Sequence, residues 1–269
     1  MASSHSVQAV VLRVMDYRES DLIVTLFTPR AGKLSALARG AKKSKKRGLN
    51  VLQPFALLEV ALSSSPRSRM LALESADLVR PLRRLAEDPL LLGFAGHHVE
   101  IVNAFTREME HVPGAWELLV ASLEDLDRGR PKPGRLRVFE LLALDLFGFR
   151  PNLESCTACG REATGGGWMD PRSGGYVCPR CAARHPAPFR AGAGTLGLLR
   201  AVCKLGTESL DRVSFTKKSL VESREMLPRF VEYTLGSELR SLRYVRALGG
   251  DKAPSRGRSL GSARPQRPR

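Results

Sequence analysis

Apolar, β-branched runs recur at short intervals through the first 80 residues, at Val7–Val14, Leu22–Thr28, Leu34–Ala38, Val51–Leu62 and Met70–Ala76. Turn-forming stretches separate them: Asp16 to Asp21, Pro29-Arg30-Ala31-Gly32, a run of basic residues, and Ser63-Ser64-Ser65-Pro66. Five runs of this kind joined by short connections predict a small all-β unit over residues 1–80, with residues 1–6 polar and frayed.

From Pro81 the period changes. Asp88-Pro89 reads as a helix start, with Asp at the N-cap and Pro at the first position. Leu91, Leu92, Ala95, His98, Val99, Val102 and Phe105 then recur at steps of three and four. A second helix begins near Pro113 with Trp116, Leu119, Val120 and Leu123 on one side. A third runs from Pro133 through Leu136, Phe139, Leu142, Ala143 and Leu146, and stops at Gly148 ahead of Pro151. Helical patterns resume from Thr195 to about Leu205 and again near Ser219, where Pro228 predicts a break or kink. From Phe230 the pattern continues through Val231, Leu235, Leu239, Leu242 and Val245.

The expected architecture is therefore α+β and multidomain. It has an N-terminal five-stranded unit (1–80), an α-helical domain (81–248) and a disordered tail rich in Gly, Pro, Ser and Arg (249–269). A Greek-key barrel of the OB type is the commonest way to close five strands without edges, although spacing alone does not separate it from an SH3-like barrel.

An insert of about residues 153–184 interrupts the helical domain. Cys156-Thr157-Ala158-Cys159 and Cys178-Pro179-Arg180-Cys181 are two Cys-x-x-Cys pairs with 18 residues between them, a spacing that suits a four-cysteine zinc site. Trp168, Met169, Tyr176 and Val177 read as a hairpin across Asp170-Pro171-Arg172-Ser173-Gly174. Disulfides and a redox pair are the competing readings. Disulfides need an oxidising compartment, and a thioredoxin-like motif is normally single. Four cysteines would fill a tetrahedral shell and leave no position for water, so the expected role of Cys156, Cys159, Cys178 and Cys181 is to hold a structural Zn2+. Cys203 lies in an apolar helical pattern and reads as a small buried hydrophobe.

Charge adds a second theme. The chain of 269 residues carries a net charge of +16, unevenly placed. Residues 1–80 hold 13 Lys/Arg against 6 Asp/Glu, residues 250–269 hold 6 against 1, and the residues between hold 24 against 20. Positive charge at both ends of a nearly balanced chain suggests a polyanionic partner. Six cations, Arg39, Lys42, Lys43, Lys45, Lys46 and Arg47, crowd one connection between strands. A solvated charge run is the bland alternative. Its place on a small β-barrel favours nucleic-acid binding. Only Tyr17, Phe27 and Phe55 could stack on bases in this unit, and the latter two sit in apolar runs. Binding is therefore expected to rest on backbone charge with little sequence preference.

No phosphate-binding loop or His-Glu-x-x-His motif occurs, and no nucleophile–base combination has motif context, so no enzyme is expected. His97-His98 reads as a helix-surface or core-edge pair. No apolar run reaches the ~18 residues of a membrane span, and the short N-terminal run lacks the pattern of a signal peptide, which leads us to expect a cytoplasmic protein without membrane partners.

Taken together, the residues resemble a known family. Ala9-Val10-Val11-Leu12-Arg13, Asp16 through Thr28, Gly32 through Ala41 with its basic continuation, and Leu52-Gln53-Pro54-Phe55 resemble the start of bacterial RecO recombination mediators. Phe139-Glu140-Leu141-Leu142, then Phe147-Gly148-Phe149-Arg150-Pro151 leading into the cysteines, is similar to that family's helical domain and zinc module. The resemblance runs from about residue 7 to 247. It implies an OB-fold domain, a helical domain with an inserted zinc module, and a nucleoid-associated role in RecF-pathway repair. That role comprises binding of single- and double-stranded DNA, annealing of complementary strands, and help in loading RecA onto gaps coated by single-strand-binding protein. Implied partners are RecR and the C-terminal tail of the coating protein, with RecA engaged indirectly. DNA contact would fall to Arg39, Lys42, Lys43, Lys45, Lys46 and Arg47. An RNA-binding OB protein with a zinc module, acting in translation or RNA processing, is the competing class.

Overall fold

The computed structural model describes residues 4–43, 51–65, 68–129, 132–186 and 188–249. It divides into two compact units, Met1–Asp88 with Val102–Arg128, and Pro89–Ile101 with Gly129–Arg269.

In the first unit, strands β1 (Ser4–Tyr17), β2 (Asp21–Thr28), β3 (Gly32–Ala38), β4 (Leu57–Ser65) and β5 (Ser68–Arg80) close a barrel in the order β1-β2-β3-β5-β4. Strand β1 pairs antiparallel with both β2 and β4, while β3 meets β5 in parallel at Ala36–Leu71 and Leu37–Ala72. One parallel contact closing an otherwise antiparallel Greek key is the arrangement of an OB barrel, and it settles what strand spacing left open.

Strand β3 shows why the sequence folds this way: Leu34, Ala36 and Ala38 face the core while Lys33, Ser35 and Leu37 face outward. Ala9, Val11, Val24, Leu26, Leu58, Val60 and Leu62 complete the interior. Strand β1 does not alternate in burial, because Val10 and Leu12 are also buried, on its other face. Phe27, the cross-strand partner of Val10, is buried on that outer side as well, with its ring 6.4 Å from that of Trp116.

Trp116 belongs to α3 (Ala115–Arg128), which follows α1 (Arg83–Glu87) and α2 (Pro89–Phe105). The first unit thus comprises the barrel together with α1, α3 and the last turn of α2, residues 102–105. The link from α2 to α3 lies against the start of β3, where Met109 N–H donates to the Lys33 carbonyl at 2.7 Å.

Strand limits differ from the sequence reading: β1 runs on to Tyr17, β4 to Ser65, and β5 spans Ser68–Arg80. Ser4–Ser6 are not frayed but paired to Ala61–Ser63. Strand β4 begins at Leu57, not Val51. Pro54 has no N–H to give a ladder and Phe55 stands at φ +74°, so residues 51–56 form a turn, pinned by Phe55 N–H on the Val11 carbonyl at 2.9 Å.

In the second unit, Pro89–Ile101 of α2 joins α4 (Pro133–Leu146), the cysteine module with β6 (Gly167–Asp170), β7 (Gly175–Val177) and β8 (Phe189–Ala191), and helices α5 (Ala193–Leu205), α6 (Ser209–Arg212), α7 (Lys217–Leu235) and α8 (Arg240–Ala247). The expected break at Pro228 does not occur. Helix α7 runs through it, because burial of Met226, Leu227, Phe230 and Val231 outweighs one missing N–H bond. It ends instead at Gly236, which takes the left-handed φ of +67° that closes a helix. None of the described helices is long and apolar enough to cross a membrane.

Candidate nucleic-acid interface and metal centre

Strand β3 ends in a turn that carries the first three cations of the basic connection. Arg39, Lys42 and Lys43 are exposed, and Ala41 between them is buried as an anchor. The turn is fastened to the β1–β2 hairpin at three points. Gly40 N–H donates to Asp21 Oδ1 at 2.8 Å, Lys42 N–H donates to the Ser20 carbonyl at 3.1 Å, and Lys42 Nζ lies 2.9 Å from Asp16 Oδ1. The Gly40 N–H holds the Asp21 carboxyl below its ordinary value. Lys45, Lys46 and Arg47 lie outside the described residues, as does the tail from residue 250.

Of the three candidate stacking residues, Phe27 is buried against Trp116 and Phe55 is half-buried in its turn. Tyr17 alone is exposed, at the end of β1, with the Arg18 guanidinium 5.2 Å from its ring centre. Sequence spacing gave no hint that this hairpin touches the basic turn, which lies about 20 residues further on.

The four cysteines converge. Their sulfurs all lie within 4.8 Å of one another, in the one such group of metal-ligating atoms among the described residues. Cys159 and Cys178 are 3.8 Å apart, far beyond the roughly 2.05 Å of a disulfide. In the first knuckle Gly160 N–H donates to the Cys156 carbonyl at 2.8 Å, and in the second Cys181 N–H donates to that of Cys178 at 3.0 Å. Burial pushes the Cys156 thiol up, but N–H groups of Cys178, Ala158 and Cys159 aimed at its sulfur outweigh it and bring it down to about 6. Hydrogen bonding with Cys159 and Cys178 pushes Cys181 up to about 12. Such crowding of thiols is relieved by a cation, and the cluster could hold a metal ion.

The module is tied into the second unit. Trp168 pairs with Val177 and Met169 with Tyr176, as the sequence pattern predicts, and β8 adds a third strand that it does not predict. Arg200 of α5 donates to the carbonyls of Leu153 and Ala163, the latter at 2.8 Å. His185 Nδ1 lies 2.5 Å from Asp170 Oδ2 and links the second knuckle to β6. Cys203 is half-buried, and burial pushes its thiol up to about 11.

His97 and His98 are not at the surface. Both are wholly buried, because α4 covers them. His97 bonds Glu140 at 2.7 Å and Ser241 at 3.1 Å, while His98 stacks on Phe139 with ring centres 3.8 Å apart. Arg137, also buried, lies 3.0 Å from Glu140. The sequence reading passed over Arg137 and quoted Glu140 only within a motif, although charges three apart within the apolar stretch Leu136 to Leu144 were a usable signal.

The family model described as Recombination protein O N terminal matches residues 1–82, and that described as Recombination protein O C terminal matches residues 86–243. The chain belongs to the RecO family. Its relatives include proteins named DNA repair protein RecO. That of Geobacter sulfurreducens is 38% identical over 242 residues, covering 90% of this chain and 97% of its own. That of Anaeromyxobacter sp. strain K is 37% identical over 241 residues, covering 89% and 95%. That of Myxococcus xanthus is 33% identical over 243 residues, covering 90% and 97%. The resemblance in the N-terminal run and around the cysteines is borne out. Family membership makes this a DNA repair protein whose barrel, and all but the two ends of whose helical part, fall within the matched regions.

Proposed function

We propose that this RecO-family chain is a recombination mediator of RecF-pathway repair. It binds single- and double-stranded DNA, anneals complementary strands, and helps load RecA onto gaps coated by single-strand-binding protein. Its partners in this reading are RecR and the C-terminal tail of the coating protein. Residues 1–80 bind nucleic acid, residues 81–248 with the module at 153–184 form the helical domain, and residues 249–269 extend it with basic charge. The observation that carries the reading is the basic connection springing from a closed OB barrel in a chain of a DNA repair family. Arg39, Lys42, Lys43, Lys45, Lys46 and Arg47 are the proposed DNA contacts.

The mechanism is electrostatic. Two complementary strands repel as polyanions, and a basic surface that neutralises both lowers the barrier to their approach. The contacts go to phosphates, so the bases stay free to find each other, and no nucleotide hydrolysis is called for.

The metal is proposed to be Zn2+, held by Cys156, Cys159, Cys178 and Cys181 in a structural role. Zinc–thiolate bonds of about 2.3 Å place tetrahedral sulfurs roughly 3.8 Å apart, and Cys159 and Cys178 have that separation. An all-thiolate set suits zinc as a borderline-soft ion.

The test is a DNA-binding titration across salt concentrations, paired with a fluorescence annealing assay. Six phosphate contacts predict a log–log slope of about −5 on duplex and about −4 on single strands. Replacing Lys42, Lys43, Lys45, Lys46 and Arg47 with alanine should flatten the slope and slow annealing. An unchanged slope would remove the loop from the site. Annealing no faster than that of naked strands would overturn the mediator reading, and preferential displacement of DNA by unlabelled RNA would favour a role in RNA processing.

A further inference from the structure

The β1–β2 hairpin places an aromatic–guanidinium pair beside the basic turn, and we infer that Tyr17, with Arg18 against its ring, is a base-stacking platform that gives the barrel a preference for single-stranded DNA. The inference rests on the DNA-binding reading above and adds to it a contact that phosphate neutralisation does not supply.

Three observations converge. Tyr17 is 37% exposed, whereas Phe27 is buried and Phe55 is half-buried. The Arg18 guanidinium stands 5.2 Å from the Tyr17 ring centre, and Arg18 is held at φ +54°, a conformation costly for a residue with a side chain. The hairpin is joined to the basic turn by the bonds from Gly40 to Asp21 and from Lys42 to Ser20, and by the Lys42–Asp16 ion pair. The hairpin that carries Tyr17 is thus joined to the turn that carries Arg39, Lys42 and Lys43.

Charge on the hairpin says which part of a strand it meets. Glu19 and Asp21 share it with Arg18, and Asp16 is paired with Lys42, so phosphates are disfavoured there and drawn to Arg39 and Lys43 instead. A strand whose backbone follows the loop can then turn its bases toward Tyr17. Aromatic rings and guanidinium planes both stack on bases without regard to sequence. Bases in a duplex are already stacked and cannot use the site, so the platform discriminates by strandedness.

The experiment compares three ligands of equal length on the full chain: a thymine oligonucleotide, an abasic strand of the same phosphate count, and a duplex. Wild-type protein should bind the thymine strand more tightly than the abasic one by at least about fivefold. Tyr17→Ala should abolish that difference and leave abasic and duplex binding and the salt slope unchanged, while Tyr17→Phe should keep it. Arg18→Gly, which suits the backbone at that position, should reduce the difference in part and serves if Tyr17→Ala fails to fold. Thymine binding by Tyr17→Ala equal to wild type overturns the inference. So does an equal loss on all three ligands, which would mean that the ring merely supports the loop. If the wild-type chain binds none of the ligands, the DNA-binding reading has failed, and this inference falls with it.

Discussion

Glu140 on α4 and His97 on α2 meet through a 2.7 Å contact between Oε1 and Nε2, and neither side chain is exposed to solvent. Arg137 reaches the same carboxylate oxygen at 3.0 Å, so one buried anion serves both an arginine and a histidine. Removing that anion takes a charged partner from both a buried guanidinium and a buried imidazole. Glu140→Ala should therefore destabilise the protein by about 3–5 kcal/mol, and Glu140→Gln by less. Denaturant unfolding checks this, and a loss below about 1 kcal/mol would mean that the network is not closed to water.

His98, next along the same helix, makes a pH prediction. Burial holds its imidazole well below the ordinary value, with the nearby His97 and Arg137 adding to the effect. The folded protein thus keeps His98 neutral, whereas the unfolded chain takes up a proton near pH 6.5. Stability from this group is fully present above pH 6.5 and falls as pH drops below it, by at most about 1.4 kcal/mol per pH unit. His98→Phe, which keeps a ring against Phe139, should be less sensitive between pH 7.5 and 5.5. Identical acid sensitivity of variant and wild type would assign the loss to other groups.

Gly32 opens β3 at φ +64°, and a Cβ there would stand 1.9 Å from the Glu110 carbonyl oxygen. Backbone strain and direct collision act together, so Gly32→Ala should cost about 2–5 kcal/mol. Thermal unfolding should show a fall of many degrees, and a shift of a degree or two would deny the close approach.

Chelation of the proposed zinc, or Cys156→Ser, should undo the cysteine module. Metal binding contributes on the order of 10 kcal/mol to the local folding of such units. The melting temperature should fall sharply and protease should cut near the module, while affinity for DNA at room temperature is retained. Loss of DNA binding with an unchanged melting curve would contradict a structural role.

Much of this was legible in the chain. The two Cys-x-x-Cys pairs announced their cluster because a knuckle is local chemistry, with both sulfurs of a pair supplied by one turn. The strands were legible because Leu34, Ala36 and Ala38, which are buried, alternate with the half-buried Lys33, Ser35 and Leu37 at the period of a sheet. The errors arose where packing overrides local preference. Pro228 lies inside an unbroken helix because its neighbours are buried, and His97 and His98 lie in the core because α4 supplies Glu140 and Phe139.

The sequence by itself determined most of the elements, the grouping of the four cysteines and the concentration of cations between β3 and β4, since each depends largely on residues close in the chain. Only the tertiary structure decided which of these meet. Antiparallel pairing of β2 with β3, with Leu22 opposite Ala38, brings Asp16 and Ser20 to Lys42, and so joins the hairpin that carries Tyr17 to the basic turn. It also turns Phe27 outward onto Trp116, which lies 89 positions further along the chain. Such contacts depend on strand order and register, which a linear pattern of hydrophobic residues does not encode.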